Sequence, residues 1–439
     1  MLDRLFGWGK KKEEQQDPGI RFGRYSDNNK PLTRISRWTD ADNLFKEKKY
    51  NESFDAFFDY VRDDAEQNVI YERSGDQGKF EFYQGSRVVR GTFGGGQLSA
   101  EVTLARMPQP SVPVMRRLLE MNLNLYYSRC ALDKDRLCMR FDSVFETANP
   151  SRLYYGLKEL ATRADKQDDL LLQDFSILET TDTGPISPVS DAEKEIKYGF
   201  LQNAVTAVLD TIAGIDQEKF SGGVSYMLLA LVYRLDYLLS PDGRLLSDLE
   251  NIAALYFRKD ERPVTEKNNT MIVAFRQILA KPKEETLRNF FRARYTFSIV
   301  SPQPYKAVTD SIAAANQNTT WYVDNNYPQF AQAICEYGVS YCQYSYSMPR
   351  PVTEFYHLFM MINYPEYFSA LGYGPGFYDR QKNQFDQRSI IEKIIAVTNE
   401  WKGKYPLMLF NTAQLRFDNL TLFNLSFTAE IANLNLDVK

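Results

Sequence analysis

The segment Leu98–Met107 limits the possible folds more than any other. Leu98, Ala100, Val102 and Leu104 alternate with Ser99, Glu101 and Thr103, apolar against polar at every second position. Successive side chains of a strand point to opposite faces, so this period calls for a strand with one face buried. The preceding residues supply its neighbours. Asn68–Arg73 is short and half apolar, Gly78–Gln84 contains the alternation Lys79-Phe80-Glu81-Phe82, and Arg87–Phe93 returns with valines and Thr92. Gly85-Ser86 and Gly94-Gly95-Gly96 provide the turns of an antiparallel meander. Met107-Pro108-Gln109-Pro110 stops it.

Helical spacing brackets this meander. From Thr39, with Asp40 as a plausible N-cap, Leu44, Phe45, Tyr50, Phe54, Phe57, Phe58 and Val61 recur with a helical period, and a break is expected at Lys48–Asn51. Past the proline stop, a helix from Ser111 or Val112 carries Val114, Leu118, Leu119, Met121 and Leu125. Tyr126–Leu132 and Arg136–Phe141 flank the polar turn Asp133-Lys134-Asp135 and read as a hairpin. Asn149 as N-cap and Pro150 in the first turn open a long helix with Leu153, Leu157, Leu160, Ala161, Ala164 and Leu171 on its stripe. Counting the three clearer meander strands, residues 39–175 give the order α-β-β-β-α-β-β-α. Residues 1–38 read as an extended N-terminal arm, 176–195 as a linker, and 196–301 as an all-α middle region.

The remaining stretch, 302–439, reads as a second lobe of the same kind. Met348-Pro349-Arg350-Pro351 echoes Met107-Pro108-Gln109-Pro110. Carried forward without a gap, Asn122 meets Asn363, Tyr126 meets Tyr367, and Ser128 meets Ser369. Upstream, Val339–Ser347 falls opposite the strand Leu98–Arg106. Thr319–Val323 and Gln329–Tyr337 read as further strands, Pro304–Asn316, Val352–Asn363 and Arg388–Lys402 as helices, and 407–436 as alternating strands. The fold class is therefore α+β: two antiparallel-sheet lobes flanking an all-α middle region, with an internal duplication.

Composition narrows the chemistry. The 53 Lys+Arg stand against 57 Asp+Glu, giving a net charge of −4, the wrong balance for a generic nucleic-acid binder. His357 is the single histidine, which argues against a Ser-His-Asp triad and excludes any metal site that takes two histidines from one chain. Cys130 and Cys138, and Cys335 and Cys342, are not spaced as CxxC and read as buried free thiols. Asp165, Asp168 and Asp169 are placed like a metal box but read as a solvated helix face. Gly91–Gly96 lacks both the GxGxxG pattern and a Walker lysine. No cofactor is expected. The first sixteen residues have no secretory h-region, and no stretch reaches a membrane span, so a cytoplasmic location is expected. Leu2, Leu5, Phe6 and Trp8 followed by Lys10, Lys11 and Lys12 allow at most a weak peripheral membrane contact. Aromatics make up 14% of the chain. They crowd the expected second sheet, where Trp321, Tyr322, Tyr341, Tyr344 and Tyr346 are candidate partner-binding residues.

Tyr60–Phe175 resembles the type III secretion chaperone-like superfamily, in particular its YbjN-type domains. The helix Val112–Leu125 running into the hairpin Tyr126–Phe141 carries the resemblance, followed by the closing helix Pro150–Leu172 with Ala164-Asp165 and Asp168-Asp169. The resemblance implies an α+β unit whose helices cover one face of a twisted antiparallel sheet. It also implies a unit that holds a partner polypeptide, with two lobes mimicking a dimer inside one chain. On that footing the expected function is non-catalytic protein binding, as a chaperone-like or adaptor protein of the bacterial cytoplasm that captures a polypeptide by strand addition or in apolar grooves. A structural or scaffold subunit of a larger bacterial assembly is the alternative.

Overall fold

The structure is a computed structural model that describes residues 18–181, 184–374 and 376–438. The alternating segment is β4 (Gln97–Arg106), and Leu98, Ala100, Val102 and Leu104 are buried. With β1 (Val69–Ser74), β2 (Gln77–Gln84), β3 (Arg87–Gly94), β5 (Arg129–Asp133) and β6 (Arg136–Val144) it forms a six-stranded antiparallel sheet in the order β1-β2-β3-β4-β6-β5. Ala100 lies opposite Gly91 on one side and Phe141 on the other, so a small residue at the centre of the sheet makes room for its neighbours' rings. α2 (Tyr50–Val61) and α4 (Pro150–Asp174) contribute Phe54, Phe57, Phe58, Leu153, Leu157 and Leu160 to the core beneath it. α1 (Leu32–Lys46) packs on α2, and α3 (Val112–Asn122) lies beside β5. The expected break falls at Lys48, whose φ is +62°. The arm is shorter than expected, because Leu32–Trp38 are already helical. Mixed polar and charged residues there leave little apolar period to read.

The rest of the chain is helical, and the expectation of a second sheet lobe fails. α5 (Asp191–Ala213), α6 (Ser221–Leu239), α7 (Gly243–Phe257), α8 (Val264–Leu279) and α9 (Lys283–Leu287) form the middle region. Ser190 caps α5 by accepting from the Glu193 amide at 3.2 Å. Within the expected linker, β7 (Ser187–Pro188) pairs with β8 (Phe291–Arg292). Beyond residue 302 come α10 (Tyr305–Asp324), α11 (Pro328–Ser345), α12 (Arg350–Asn363), α13 (Pro365–Ala370), α14 (Gln387–Trp401) and α15 (Leu420–Ala432). A hairpin of β9 (Tyr378–Asp379) and β10 (Gln384–Phe385) is the only sheet among the described residues there. The three helices expected in this stretch are α10, α12 and α14.

The expected strands Thr319–Val323 and Gln329–Tyr337 fall in α10 and α11, Val339–Ser347 falls in α11 and the two residues after it, and the alternating strands expected over 407–436 give way to α15, so the duplication does not stand. Phe330, Ile334, Val339 and Cys342 are buried along α11, a helical period that tertiary packing imposes over the strand preference of its tyrosines. The echo has a local cause. In both places prolines stop one element and the next helix begins with Pro in its first turn, α3 after Met107-Pro108-Gln109-Pro110 and α12 at Arg350-Pro351.

α6 is buried almost all round and joins the middle helices to α11, so residues 191–434 build one helical body. Two segments tie that body to the sheet domain. Phe297 enters the core of the sheet domain, and the Gln84 side chain accepts from the Thr296 and Phe297 amides at 3.3 and 3.0 Å. The arm runs between the two bodies: the Gly23 amide donates to the Tyr237 carbonyl at 2.9 Å, and Tyr25 donates to Asp63 at 3.0 Å. No helix of the described residues is long and apolar enough to cross a membrane.

Candidate functional site

Asp165, Asp168 and Asp169 share one face of α4 because residues three and four apart on a helix are neighbours. That face is not solvated. It turns into the seam between the sheet domain and the helical body, opposite the turn Ser240-Pro241-Asp242-Gly243 that joins α6 to α7. Together with the arm these elements enclose a cavity of about 480 Å³. Asp165 accepts from the Ser86 amide at 2.8 Å. Asp168 accepts from the Ser86 hydroxyl at 2.6 Å and from Arg87 Nε, while its Oδ1 is buried without a partner. Tyr295 donates to both oxygens of Asp242, at 3.1 and 2.9 Å. The Asp169 carboxyl has neither a hydrogen bond nor an ion pair among the described residues.

Burial is the largest influence on all four carboxyls. It raises Asp165 well above the usual range, with Asp242 and Asp168 adding repulsion. It raises Asp168 against the opposing pull of Arg87. Asp169 is pushed up to about 7 by burial and then by the charge of Asp168. Asp242 is pushed up to about 6 by burial, which outweighs its bond from Tyr295. Several other charges of the cavity are paired. Arg24 reaches Asp236 at 2.8 Å and Glu250 at 3.4 Å, and Lys166 reaches Glu250 at 2.5 Å. Glu193 takes both Lys197 and Arg292 at 3.1 Å.

The seam offers little to a metal ion or to covalent chemistry. Among the described residues no three His, Cys, Asp or Glu side chains converge as ligands. His357 lies elsewhere, on α12. Its Nδ1 is 2.9 Å from the Tyr237 hydroxyl, and the rings of Phe22 and Phe368 enclose it, as suits a structural histidine. All four cysteines are free thiols, and burial pushes Cys130 and Cys138 up to about 11.

A second surface lies on α3, which is apolar on two sides. At about 100° per residue, Val114, Leu118 and Met121 face inward, and Val112, Arg116, Leu119 and Leu123 form a stripe opposite. The inner three are buried. Val112, Leu119 and Leu123 are 72%, 66% and 85% exposed, and Tyr126 beyond them is 90% exposed. Pro110, Val112, Met115, Arg116 and Leu119 line an open apolar groove along this stripe. The loop after α3 is held firmly, since the Tyr126, Tyr127 and Ser128 amides all donate to the Glu159 carboxylate on α4, at 2.8, 2.9 and 2.8 Å. Leu119 was counted with the inward positions in the sequence, because apolar positions inside and outside a short helix look alike until its neighbours are known.

The aromatic candidates are not brought together. Trp321 and Tyr322 end α10, with Tyr322 against Phe330 at the start of α11. Tyr341 and Tyr344 lie near the other end of α11, on the order of 20 Å away at 1.5 Å per residue. Tyr344 packs against Tyr233 with ring centroids 4.6 Å apart and carries Arg24 over its face at 4.0 Å. Tyr346 follows α11 and meets Tyr341 edge-on. Trp321 alone of the five is exposed. The amphipathic N-terminal turn with its three lysines lies outside the described residues. No protein-family model matches the chain, and no curated protein matches it.

Proposed function

We propose that this protein binds another polypeptide without transforming it, and that the outer stripe of α3 is the binding face. The exposed row Val112, Leu119 and Leu123, continued by Tyr126, carries this reading: a soluble surface rarely leaves so much contiguous apolar area uncovered without a use for it. The occupant is an amphipathic helix. Strand addition at β5 is disfavoured, because the Cys130 amide on its outer edge already donates to the Asn122 side chain at 2.7 Å and α3 stands over that edge. A helix laid along α3 presents apolar residues three and four apart, and one acidic residue among them meets Arg116. Tyr126 and the leucines serve as anchors, each costing more than about 1 kcal/mol of affinity when truncated.

A photo-crosslinking residue in place of Leu119 tests this in the native cytoplasm. The expected product is one discrete adduct with a second polypeptide, mapping to an apolar-and-acidic helix and lost in a chain carrying Leu123→Asp. The same probe at the exposed Trp321 gives none. Absence of an adduct at position 119, or an adduct joining two copies of this chain, overturns the reading. Leu119 and Leu123 are exposed, so the melting temperature of Leu119→Asp/Leu123→Asp stays within a degree or two of the parent, and loss of binding is not loss of fold.

A further inference from the structure

Carboxyls from both bodies face one another across the seam. α4 contributes Asp165, Asp168 and Asp169, and the α6–α7 turn contributes Asp242. Most cations lining the cavity are held by other carboxylates, and none forms an ion pair with Asp165, Asp169 or Asp242 among the described residues. From the β2–β3 hairpin, Arg87 is taken by Asp168. From the arm, Arg21 pairs with Glu66 and lies over the Tyr295 ring at 5.5 Å, and Arg24 is held by Asp236 of α6 and Glu250 of α7. From α5, Lys197 is on Glu193, which also takes Arg292 of β8. On α4 itself, Lys166 pairs with Glu250, Lys158 lies over Tyr154 and Arg163 is exposed to water. Asp165, Asp169 and Asp242 are thus without a basic partner among the described residues. Asp165 accepts from the Ser86 amide and hydroxyl and Asp242 from the Tyr295 hydroxyl, while Arg87 attracts Asp169, and Arg21 and Lys197 attract Asp242, from beyond pairing distance.

The backbone holds them close. Gly243 sits at φ +57°, and a Cβ built on it would lie 3.0 Å from Asp169 Oδ2, so the turn is pressed against that carboxyl. On the other side Asp165 is packed onto the Gly85-Ser86 turn. Ionised carboxyls gathered in such a space repel, and their repulsion is felt across the seam because Asp242 belongs to one body and the others to its neighbour.

We propose that this seam is a proton-operated latch: with protons on Asp165, Asp169 and Asp242 the sheet domain seats against the helical body, and losing those protons drives α4 away from the α6–α7 turn. The arm and the segment that carries Phe297, each anchored in both bodies, are the hinges about which the seam widens.

Linkage gives the direction. In the closed seam Asp169 titrates at about 7 and Asp242 at about 6, both raised first by burial. Opened into water, each returns toward the ordinary aspartate value of about 4. The closed form therefore binds more protons. Its advantage from these groups is complete below about pH 4 and is lost as the pH climbs through about 6 to 7.

Spin labels at Gln173→Cys on α4 and Asn251→Cys on α7, both exposed positions, read the seam width in the full chain with Cys130→Ser removing the partly exposed thiol. The expected result is a short, narrow distance at about pH 5 that lengthens and broadens by about pH 8, with a midpoint between about 6 and 7. Asp169→Asn/Asp242→Asn, which keeps the shapes and removes the charges, is expected to hold the short distance throughout. A parent distance that does not move, or a double variant that moves with the same midpoint, overturns the latch. Should the double variant fail to fold, Asp169→Asn alone, at a half-buried position, decides the matter: it removes the upper part of the transition, and an unchanged profile counts against the proposal.

Discussion

Two glycines show what a residue's surroundings add to its conformation. Gly85 and Gly95 both sit in hairpin turns in the left-handed region, at φ +55° and +59°. Replacement by alanine puts a Cβ into that region at either position, which costs roughly 1–2 kcal/mol. Around Gly95 there is nothing within 4 Å, whereas a Cβ on Gly85 would run into the Asp165 carboxyl. We expect Gly95→Ala to lose about 1 kcal/mol in urea unfolding and Gly85→Ala at least about 3 kcal/mol, the difference measuring the pressure of α4 on the hairpin. Equal losses would mean that Asp165 does not bear on the turn. Both turns were legible in the sequence from their glycines. The seam was not: the spacing of Asp165, Asp168 and Asp169 put them on one face, but only Asp242, seventy-odd residues on, shows that the face looks into protein and not into water.

Elements whose period is strong and whose neighbours are local were readable. The alternation of β4, the proline-opened α3 and the Asn149-capped α4 stand where spacing put them, because each is set by its own residues and by strands next to it in the chain. α11 was not readable in this way. Its Tyr337, Tyr341 and Tyr344 favour strands as isolated residues, yet it packs between α6 and α10, and that packing decides its conformation. The aromatic candidates accordingly divide by burial. Tyr344→Ala removes a ring packed at a tilt against Tyr233 and lying under Arg24, and is expected to cost about 3 kcal/mol. Trp321→Ala, at the exposed end of α10, is expected to stay within about 0.5 kcal/mol of the parent. Chemical denaturation of the two variants distinguishes packing from surface display. A cost at Trp321 matching that at Tyr344 would show that the end of α10 is buried by something more than the contacts described.

At the scale of the whole molecule, the first sheet domain and the helical middle region were legible, but the helical character of residues 302–439 and the way the two bodies are joined were not. An arm without a hydrophobic period reads as loose chain, but residues 18–31 lie between the two bodies and bond to each. Arg24 is the centre of that attachment. Its guanidinium grips Asp236 with three hydrogen bonds of 2.8 to 3.1 Å, and Asp236 is buried on α6. Burial raises the Asp236 carboxyl, and Arg24 pulls it back toward ionisation. Removing the arginine leaves a buried carboxylate without its partner, a loss of about 3–5 kcal/mol. The sign with pH follows. Without Arg24 the carboxyl in the folded chain is raised further, so acid relieves the defect by protonating it, and Arg24→Ala is expected to lose less stability near pH 5 than near pH 8. Adding Asp236→Asn removes the stranded charge and should recover a good part of the loss, the non-additivity of a double-mutant cycle on a direct pair. Calorimetry supplies the test of scale. If the arm joins the two bodies, Arg24→Ala separates their unfolding into two transitions where the parent shows one. A single transition, merely shifted, would place the coupling in the direct α4–α7 and Phe297 contacts instead.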